Sequence, residues 1–138
     1  MTTVITGTTR GIGAALAKNM RETGEDVLSL GRGESSIFVD LEDISSIEGL
    51  GTKLNNVPID LLVCNAGIFL DRDQDLDYGY KSDLWQKTFS VNVISIFVLI
   101  QNLLPNIVAG EGKIAIIASQ MGSQQKASGG DYIYRASK

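Results

Sequence analysis

Short, mostly continuous apolar runs alternate with longer amphipathic segments along the chain. Apolar residues that do not alternate with polar ones are typical of strands buried on both faces of a sheet. The pattern predicts five such strands, at residues 3–6, 26–30, 36–40, 59–66 and 113–119. Because longer segments separate most of these runs, we expect the strands to be parallel and joined by crossover helices.

Helices are predicted in the longer segments, at residues 11–24, 41–56 and about 82–109. Gly24 is the expected C-cap of the first helix, and Pro105 is expected to kink the last one or to end it early. The polar segment 69–81 is expected to form a surface loop. Right-handed crossovers then predict a Rossmann-like, doubly wound α/β fold with strand order 3-2-1-4-5 and a ligand crevice between strands 1 and 4.

Length and composition restrict the classes of protein to which the chain can belong. We expect 138 residues to form a single domain, 1–138, and the net charge of −4 argues against a nucleic-acid surface. The longest apolar stretch is interrupted by Asn92 and Ser95, so no membrane span is expected, and no secretory signal is recognised. A lone cysteine, Cys64, and no histidine argue against disulfides and metal sites. The composition predicts a cytoplasmic protein.

Glycines cluster between the first strand and the first helix, in the segment TGTTRGIG at 6–13. A glycine is needed where a β-carbon would block a phosphate or force strain at positive φ. The free N–H groups and the positive dipole end of the following helix suit a pyrophosphate. An ordinary glycine-rich turn is the alternative, but the strand–turn–helix context favours a dinucleotide site. The candidate binding residues are Gly7, Thr9, Arg10, Gly11, Ile12 and Gly13.

The G-x-x-x-G-x-G spacing resembles the cofactor motif of the short-chain dehydrogenase/reductase family, classical type. Further segments resemble family motifs in the same order: CNAG at 64–67, SVNV at 90–93, IIASQMGS at 116–123 and YRASK at 134–138. Cys64 replaces the first Asn of the usual N-N-A-G. The last two segments most resemble the C-factor-like subgroup. Family members run to roughly twice this length, so the resemblance implies the N-terminal part of the fold, truncated before the last strands.

The resemblance implies a catalytic role for four residues. Tyr134 would be the proton donor, and Lys138, four residues later, would lower its pKa and bind the nicotinamide ribose. Ser119 would hydrogen-bond the substrate oxygen, and Asn92 would hold a water that serves the lysine. Taken singly, each is more often an ordinary structural residue; Tyr132 is a rival donor without a lysine four residues on. Three residues would pack beside the cofactor: Asn65, Ala66 and Gly67.

The choice of cofactor depends on charges near the adenosine ribose. Arg10 and Arg32 at the two matching positions favour NADP(H), because two guanidinium groups can bind a 2′-phosphate. Glu34 lies close by and opposes this, so NAD remains an option. The resemblance implies that Asp40 meets the adenine amine and that Leu41 covers the ring, although Asp40 could also be a plain helix N-cap.

The sequence thus predicts hydride transfer between NADP(H) and a small carbonyl or alcohol substrate. The alternatives are a dinucleotide-binding module without catalysis and a chain without function. We expect little activity from these 138 residues alone, because the family's second half supplies further contacts to the nicotinamide and to the substrate. The full-length protein is expected to be a homo-oligomer.

Overall fold

The computed structural model describes residues 1–34 and 37–138, and within them five strands form one parallel sheet in the predicted order β3-β2-β1-β4-β5. The strands are β1 (Thr2–Thr6), β2 (Asp26–Gly31), β3 (Ile37–Phe38), β4 (Leu61–Cys64) and β5 (Lys113–Ile116). The predicted third strand includes Ser36, which lies outside the described residues. The observed β3, β4 and β5 are shorter than predicted, so the residues after each strand are free to form the site.

Five α-helices are found in the same described ranges: α1 (Gly11–Glu22), α2 (Leu50–Lys53), α3 (Ser82–Phe89), α4 (Ser95–Ala109) and α5 (Tyr132–Ser137). A π-helical turn, Ser90–Ile94, joins α3 to α4 in one continuous stretch. The C-cap of the first helix is Thr23 and not Gly24 as predicted; Gly24 is the next residue and has a positive φ of 88°.

The prediction of one helix over 41–56 is wrong. The segment contains a 3-10 turn, Ile44–Ile47, and the single turn of α2. Asp43 accepts a hydrogen bond from the Ser45 amide, which starts the first turn, and Gly49 lies between the two with φ 71°. Because the left-handed conformation of Gly49 cannot continue a right-handed helix, the two turns remain separate.

Pro105 does not end its helix, which continues to Ala109. Pro105 and Gln101, whose carbonyl loses its helical partner, are both exposed, so water can satisfy that carbonyl. The irregularity predicted for this helix lies instead at the π-helical turn. The extra residue of that turn changes the direction of the side chains and places Asn92 in the protein interior, where it is 5% exposed.

The core lies mainly on the face of the sheet that carries α4. Leu99 and Leu103 of that helix are fully buried against Val4 and Leu62 of the central strands. Successive strand residues point to opposite faces, so Ile5 packs on the other side, against α1. The two faces of the sheet are therefore both covered near its centre.

One helical stretch in the described residues, Ser82–Ala109, has the length and composition of a membrane span, since an 18-residue window within it has a mean hydropathy of 1.8. Core helices of globular domains pass the same test, and the inward face of this stretch packs on the sheet. Ser95, which interrupts the apolar pattern, is buried and donates a hydrogen bond to the Val91 carbonyl at 2.7 Å.

Candidate functional site

The turn between β1 and α1, residues 7–13, is called the glycine turn below. Gly7 has φ 74°, a conformation that favours glycine. A β-carbon on Gly13 would collide with the Gly7 carbonyl oxygen and with the Asn65 side-chain amide. The first turn of α1 therefore lies directly against the end of β1, and any larger residue at position 13 would push them apart.

Asn65 connects the glycine turn to the neighbouring strand. Its Nδ2 donates to the Thr6 carbonyl at 3.0 Å and to the Gly7 carbonyl at 3.1 Å. In the other direction, the Thr6 hydroxyl accepts hydrogen bonds from the Asn65 and Ala66 amides, both at 3.0 Å. The carboxyl ends of β1 and β4 are thus joined by four hydrogen bonds beside the crevice predicted between them.

The start of α1 leaves polar groups free for a ligand. Arg10 occupies the N-cap position in an extended conformation, and within the described residues no side chain caps this helix. At Gly11, φ is 59°, and an added β-carbon would meet nothing within 4 Å. Uncapped N–H groups and the positive end of the helix dipole favour an anionic group here.

A cavity of about 400 Å³ lies above the carboxyl edge of the sheet. It contains all the predicted cofactor residues except Gly13, which is buried behind the turn: Gly7, Thr9, Arg10, Gly11, Ile12, Arg32, Asp40, Leu41, Asn65, Ala66 and Gly67. Its size is within the range of ligand sites. The uncapped helix start and the two arginines suit the phosphates of a dinucleotide, and the apolar walls suit its rings.

Arg32 stands at this cavity beside two carboxylates. Its Nη1 is 3.7 Å from Asp40 Oδ2 and 4.0 Å from Glu42 Oε1. Glu42 also pairs with Lys87 of α3, whose Nζ is 3.0 Å from Oε2. Sequence reasoning considered Glu34 as the opposing acid and missed Glu42 and Lys87, which are far apart in the sequence.

Asp40 has no helix to cap. Its Oδ1 accepts a hydrogen bond from the Glu42 amide at 3.0 Å, which closes a tight turn after the short β3. The alternative that Asp40 is a helix N-cap is therefore wrong. Leu41 lies beside it in the cavity wall.

Asn92 is held by the backbone of Ile68 and by Ser137. Its Oδ1 accepts from the Ile68 amide at 2.8 Å, and its Nδ2 donates to the Ile68 carbonyl and to the Ser137 hydroxyl, both at 2.9 Å. Both amide hydrogens are therefore used. A water that served Lys138 would have to donate to the remaining lone pair of Oδ1 or bind another atom, and the role predicted for Asn92 stays a prediction.

Lys138 lies at the edge of the cavity. Its Nζ donates to the Ile117 carbonyl at 2.6 Å, and a β-carbon built on the cavity residue Gly67 would be 3.6 Å from the same Nζ. Burial lowers the pKa of Lys138 below its ordinary value. The cation thus stands close to the segment 65–67 that lines the cofactor cavity.

Tyr134 is positioned by a segment that the sequence presented as a polar surface loop. The Phe69 ring stacks on the Tyr134 ring with centroids 4.2 Å apart and an angle of 15°. Asp71 is fully buried, and its carboxylate accepts from the Ile133 amide at 2.8 Å and from the Tyr134 amide at 3.2 Å. Residues 68–71 are called the anchor loop below.

Asp71 is buried and not exposed as predicted for the surface loop. Its carboxylate accepts hydrogen bonds from the backbone N–H groups at the start of α5, which have no acceptor within the helix. Most of the remaining segment to residue 81 is exposed, as predicted. No pattern in the sequence distinguishes Asp71 from the neighbouring acids at 73, 75 and 77. Its burial depends on a helix that begins more than sixty residues later.

Ser119 and Tyr132 occupy different surroundings. The half-buried Ser119 follows β5, and its hydroxyl accepts from the Met121 amide at 3.2 Å. It lies two residues after Ile117, the partner of Lys138. Tyr132, the rival proton donor, packs its ring edge-on against Tyr80 with centroids 5.4 Å apart.

Comparison with known proteins identifies relatives over nearly all of the chain. Residues 1–138 match the family model described as short chain dehydrogenase. An uncharacterized oxidoreductase of Bacillus subtilis, YvaG, is 30% identical, and the match covers 91% of this chain and 54% of that protein. A probable NADP-dependent dehydrogenase of Haemophilus influenzae is also 30% identical, over 99% of this chain and 60% of that protein.

Solved structures show the same architecture. The RhlG/NADP active-site complex of Pseudomonas aeruginosa has a TM-score of 0.86 at 26% identity, and the match covers 99% of this chain and 60% of that chain. The chain spans only 54–60% of the length of the curated relatives named above. Because the family model matches residues 1–138, the chain belongs to the short chain dehydrogenase family.

Proposed function

We propose that the protein is an NADP(H)-dependent oxidoreductase that interconverts a small carbonyl compound and an alcohol. The observation that carries the proposal is the proximity of two sites: Gly67 lines the cavity of about 400 Å³ and lies beside the Lys138 ammonium. The Haemophilus relative named as NADP-dependent and the NADP complex of the Pseudomonas structure support the choice of cofactor.

Different residues of the cavity would bind different parts of the cofactor. The glycine turn and the uncapped N–H groups of α1 would bind the pyrophosphate. Arg10 and Arg32 would bind the 2′-phosphate, and Asp40 and Leu41 would contact the adenine. The segment 65–67 would lie along the nicotinamide end, since it adjoins Lys138. When bound, NADPH supplies the hydride.

Side chains of the protein would transfer the proton and stabilise the charge that develops. Tyr134 would donate its phenolic proton to the substrate oxygen as that oxygen gains negative charge, and would take a proton back in the reverse reaction. The Lys138 cation would stabilise the resulting phenolate. Ser119 would donate a hydrogen bond to the same oxygen, because its Oγ is the acceptor in the contact with the Met121 amide and its hydroxyl hydrogen is not used there.

The test is NADPH oxidation by the intact protein with a panel of reactive carbonyl compounds, in the wild type, Tyr134→Phe and Tyr132→Phe. We expect Tyr134→Phe to reduce kcat by about 100-fold or more, while Tyr132→Phe, the matched control, retains most of the activity. Full activity of Tyr134→Phe would refute the assignment of the proton donor. NADPH binding without turnover by the wild type would favour the alternative, a dinucleotide-binding module.

Location and assembly belong to the same proposal. We propose a cytoplasmic protein, which is supported by the free Cys64, a lone cysteine that fits a reducing compartment. We also propose that the whole protein forms a homo-oligomer. Exposed apolar side chains along α4, among them Phe97, Leu104 and Val108, support a further covered surface, and sedimentation of the intact protein tests this.

A further inference from the structure

Three charged side chains form a row that leads from the cavity to α3. Arg32 is largely exposed, with 64% of its side chain accessible, and its guanidinium is 4.0 Å from Glu42. The second carboxylate oxygen of Glu42 is 3.0 Å from Lys87. Glu42 therefore lies between two cations, of which Lys87 is the nearer.

Glu42 is held in this position from two directions. Its main-chain amide donates to Asp40 Oδ1, which fixes the backbone at the cavity wall. Its side chain pairs with Lys87, which is carried by a different element, α3. Glu42 is thus a fixed negative charge at the point where Arg32 is available to a ligand.

We propose that Glu42 and Lys87 set how strongly the protein prefers NADP(H) to NAD(H). Glu42 competes with the 2′-phosphate for Arg32, and Lys87 reduces that competition by holding Glu42 on its own side. The inference rests on the proposed function, since it takes Arg32 as a 2′-phosphate ligand. Glu42 is then a specificity-determining residue, and Lys87 is a positioning residue that acts through it.

The distances determine the sign of each effect. A pair at 3.0 Å includes a charge-assisted hydrogen bond, whereas a pair at 4.0 Å has only the weaker Coulomb attraction. While Lys87 is present, Glu42 is held away from Arg32, and the carboxylate nearer to Arg32 is that of Asp40, at 3.7 Å. Asp40 is the same in every variant below, so a change in the preference reports on Glu42. Without Lys87, Glu42 is free to move onto Arg32. NADH lacks the 2′-phosphate, so its affinity should respond little to either change.

The experiment is a double-mutant cycle on cofactor affinity. Dissociation constants for NADPH and NADH are measured by fluorescence titration at fixed ionic strength for the wild type, Glu42→Gln, Lys87→Gln and the double variant. We expect Glu42→Gln to raise the preference for NADPH by about 2- to 5-fold, and Lys87→Gln to lower it by a similar factor, as is typical of exposed ion pairs. In the Glu42→Gln background, Lys87→Gln should have no effect.

The double variant separates positioning from simple loss of positive charge. If Lys87→Gln lowers the preference equally with and without Glu42, Lys87 acts only through the overall charge, and the proposal is overturned. Lys18→Gln is the matched control, because Lys18 also pairs with a glutamate, Glu22, but lies on α1. An unchanged preference in Glu42→Gln also overturns the inference. Failure of the proposed cofactor site looks different: the wild type would bind neither dinucleotide, and both proposals would fall.

Discussion

The glycine turn and the anchor loop stabilise the two halves of the proposed site in different ways. The glycine turn is held by backbone fit, since Gly13 lies against the Gly7 carbonyl and Asn65 joins two adjacent strands. The anchor loop holds Tyr134 through two side chains, the Phe69 ring and the Asp71 carboxylate. The residues that would bind the cofactor are therefore held by the sheet. Tyr134, the proposed proton donor, depends instead on a few contacts between distant segments.

This difference predicts separable defects. Substitutions in the glycine turn should weaken dinucleotide binding, because they displace the helix start that would face the pyrophosphate. Substitutions in the anchor loop should leave binding nearly unchanged and lower kcat, because proton transfer is sensitive to small displacements of the donor. Three predictions that test this separation follow, from the largest expected effect to the smallest, and a fourth concerns the smaller effect of Lys138 on stability.

Gly13→Ala should cause the largest loss of binding. The added β-carbon collides with the Gly7 carbonyl oxygen, so the turn must shift. We expect the affinity for NADPH to fall by about 10- to 100-fold, the range that corresponds to overpacking costs of ~1–3 kcal/mol. Calorimetric titration measures the change. Gly24→Ala is the matched control, because it also strains the backbone, at φ 88°, but lies beyond the end of α1 that is far from the cavity; an equal loss there would indicate general destabilisation.

Asp71→Asn should affect turnover more than binding. The substitution removes the charge that accepts two amide hydrogen bonds at the start of α5, and hydrogen bonds to charged groups contribute ~1.5–3 kcal/mol. We expect kcat to fall by about 10-fold, at an NADPH dissociation constant within about twofold of the wild type. Asp73→Asn, on an exposed neighbour in the same loop, is the control. Equal losses of binding and turnover would contradict the separation.

Phe69→Leu should have a smaller effect of the same kind. Leucine keeps an apolar contact with Tyr134 but loses the stacked arrangement, which contributes about 0.5–1.5 kcal/mol. We expect a decrease in kcat of a few-fold at an unchanged NADPH dissociation constant, because the phenol loses part of its support. An unchanged kcat would show that the ring does not position Tyr134.

The pKa of Lys138 predicts a small effect on stability. Burial lowers this pKa in the folded state, so the unfolded chain binds more protons at pH values between the folded value and the ordinary ~10.4. The free energy of unfolding should therefore gain a small contribution as the pH rises through that window. Thermal unfolding of the wild type and Lys138→Met at pH 8 to 10 measures it; equal slopes would contradict the lowered pKa.

The parts that the sequence predicted are those with local causes. The strands follow from continuous apolar runs and their order from the right-handed crossover rule, and the glycine turn follows from the glycines at 7 and 11, which adopt positive φ values of 74° and 59°. The prediction of a helix over 41–56 was wrong for a local reason that the pattern of apolar residues does not show. Gly49 and the Asp43 side chain favour separate turns there.

The parts that the sequence did not predict depend on partners far along the chain. Asp71 is one of four acids in a polar segment, and only its contact with α5 makes it a buried acceptor. Glu42 becomes important through Lys87, forty-five residues later. Patterns in a single sequence reflect neighbours along the chain, so neither pairing can be recognised from them.

The most direct test of the account is a calorimetric titration of NADPH and NADH against the wild type and Arg32→Asp. The central claim is that the cavity between the ends of β1 and β4 is an NADP(H) site. The account predicts that the wild type binds one NADPH per chain more tightly than NADH, and that Arg32→Asp shifts the preference toward NADH. Equal affinities for the two cofactors, unaffected by the substitution, would contradict it.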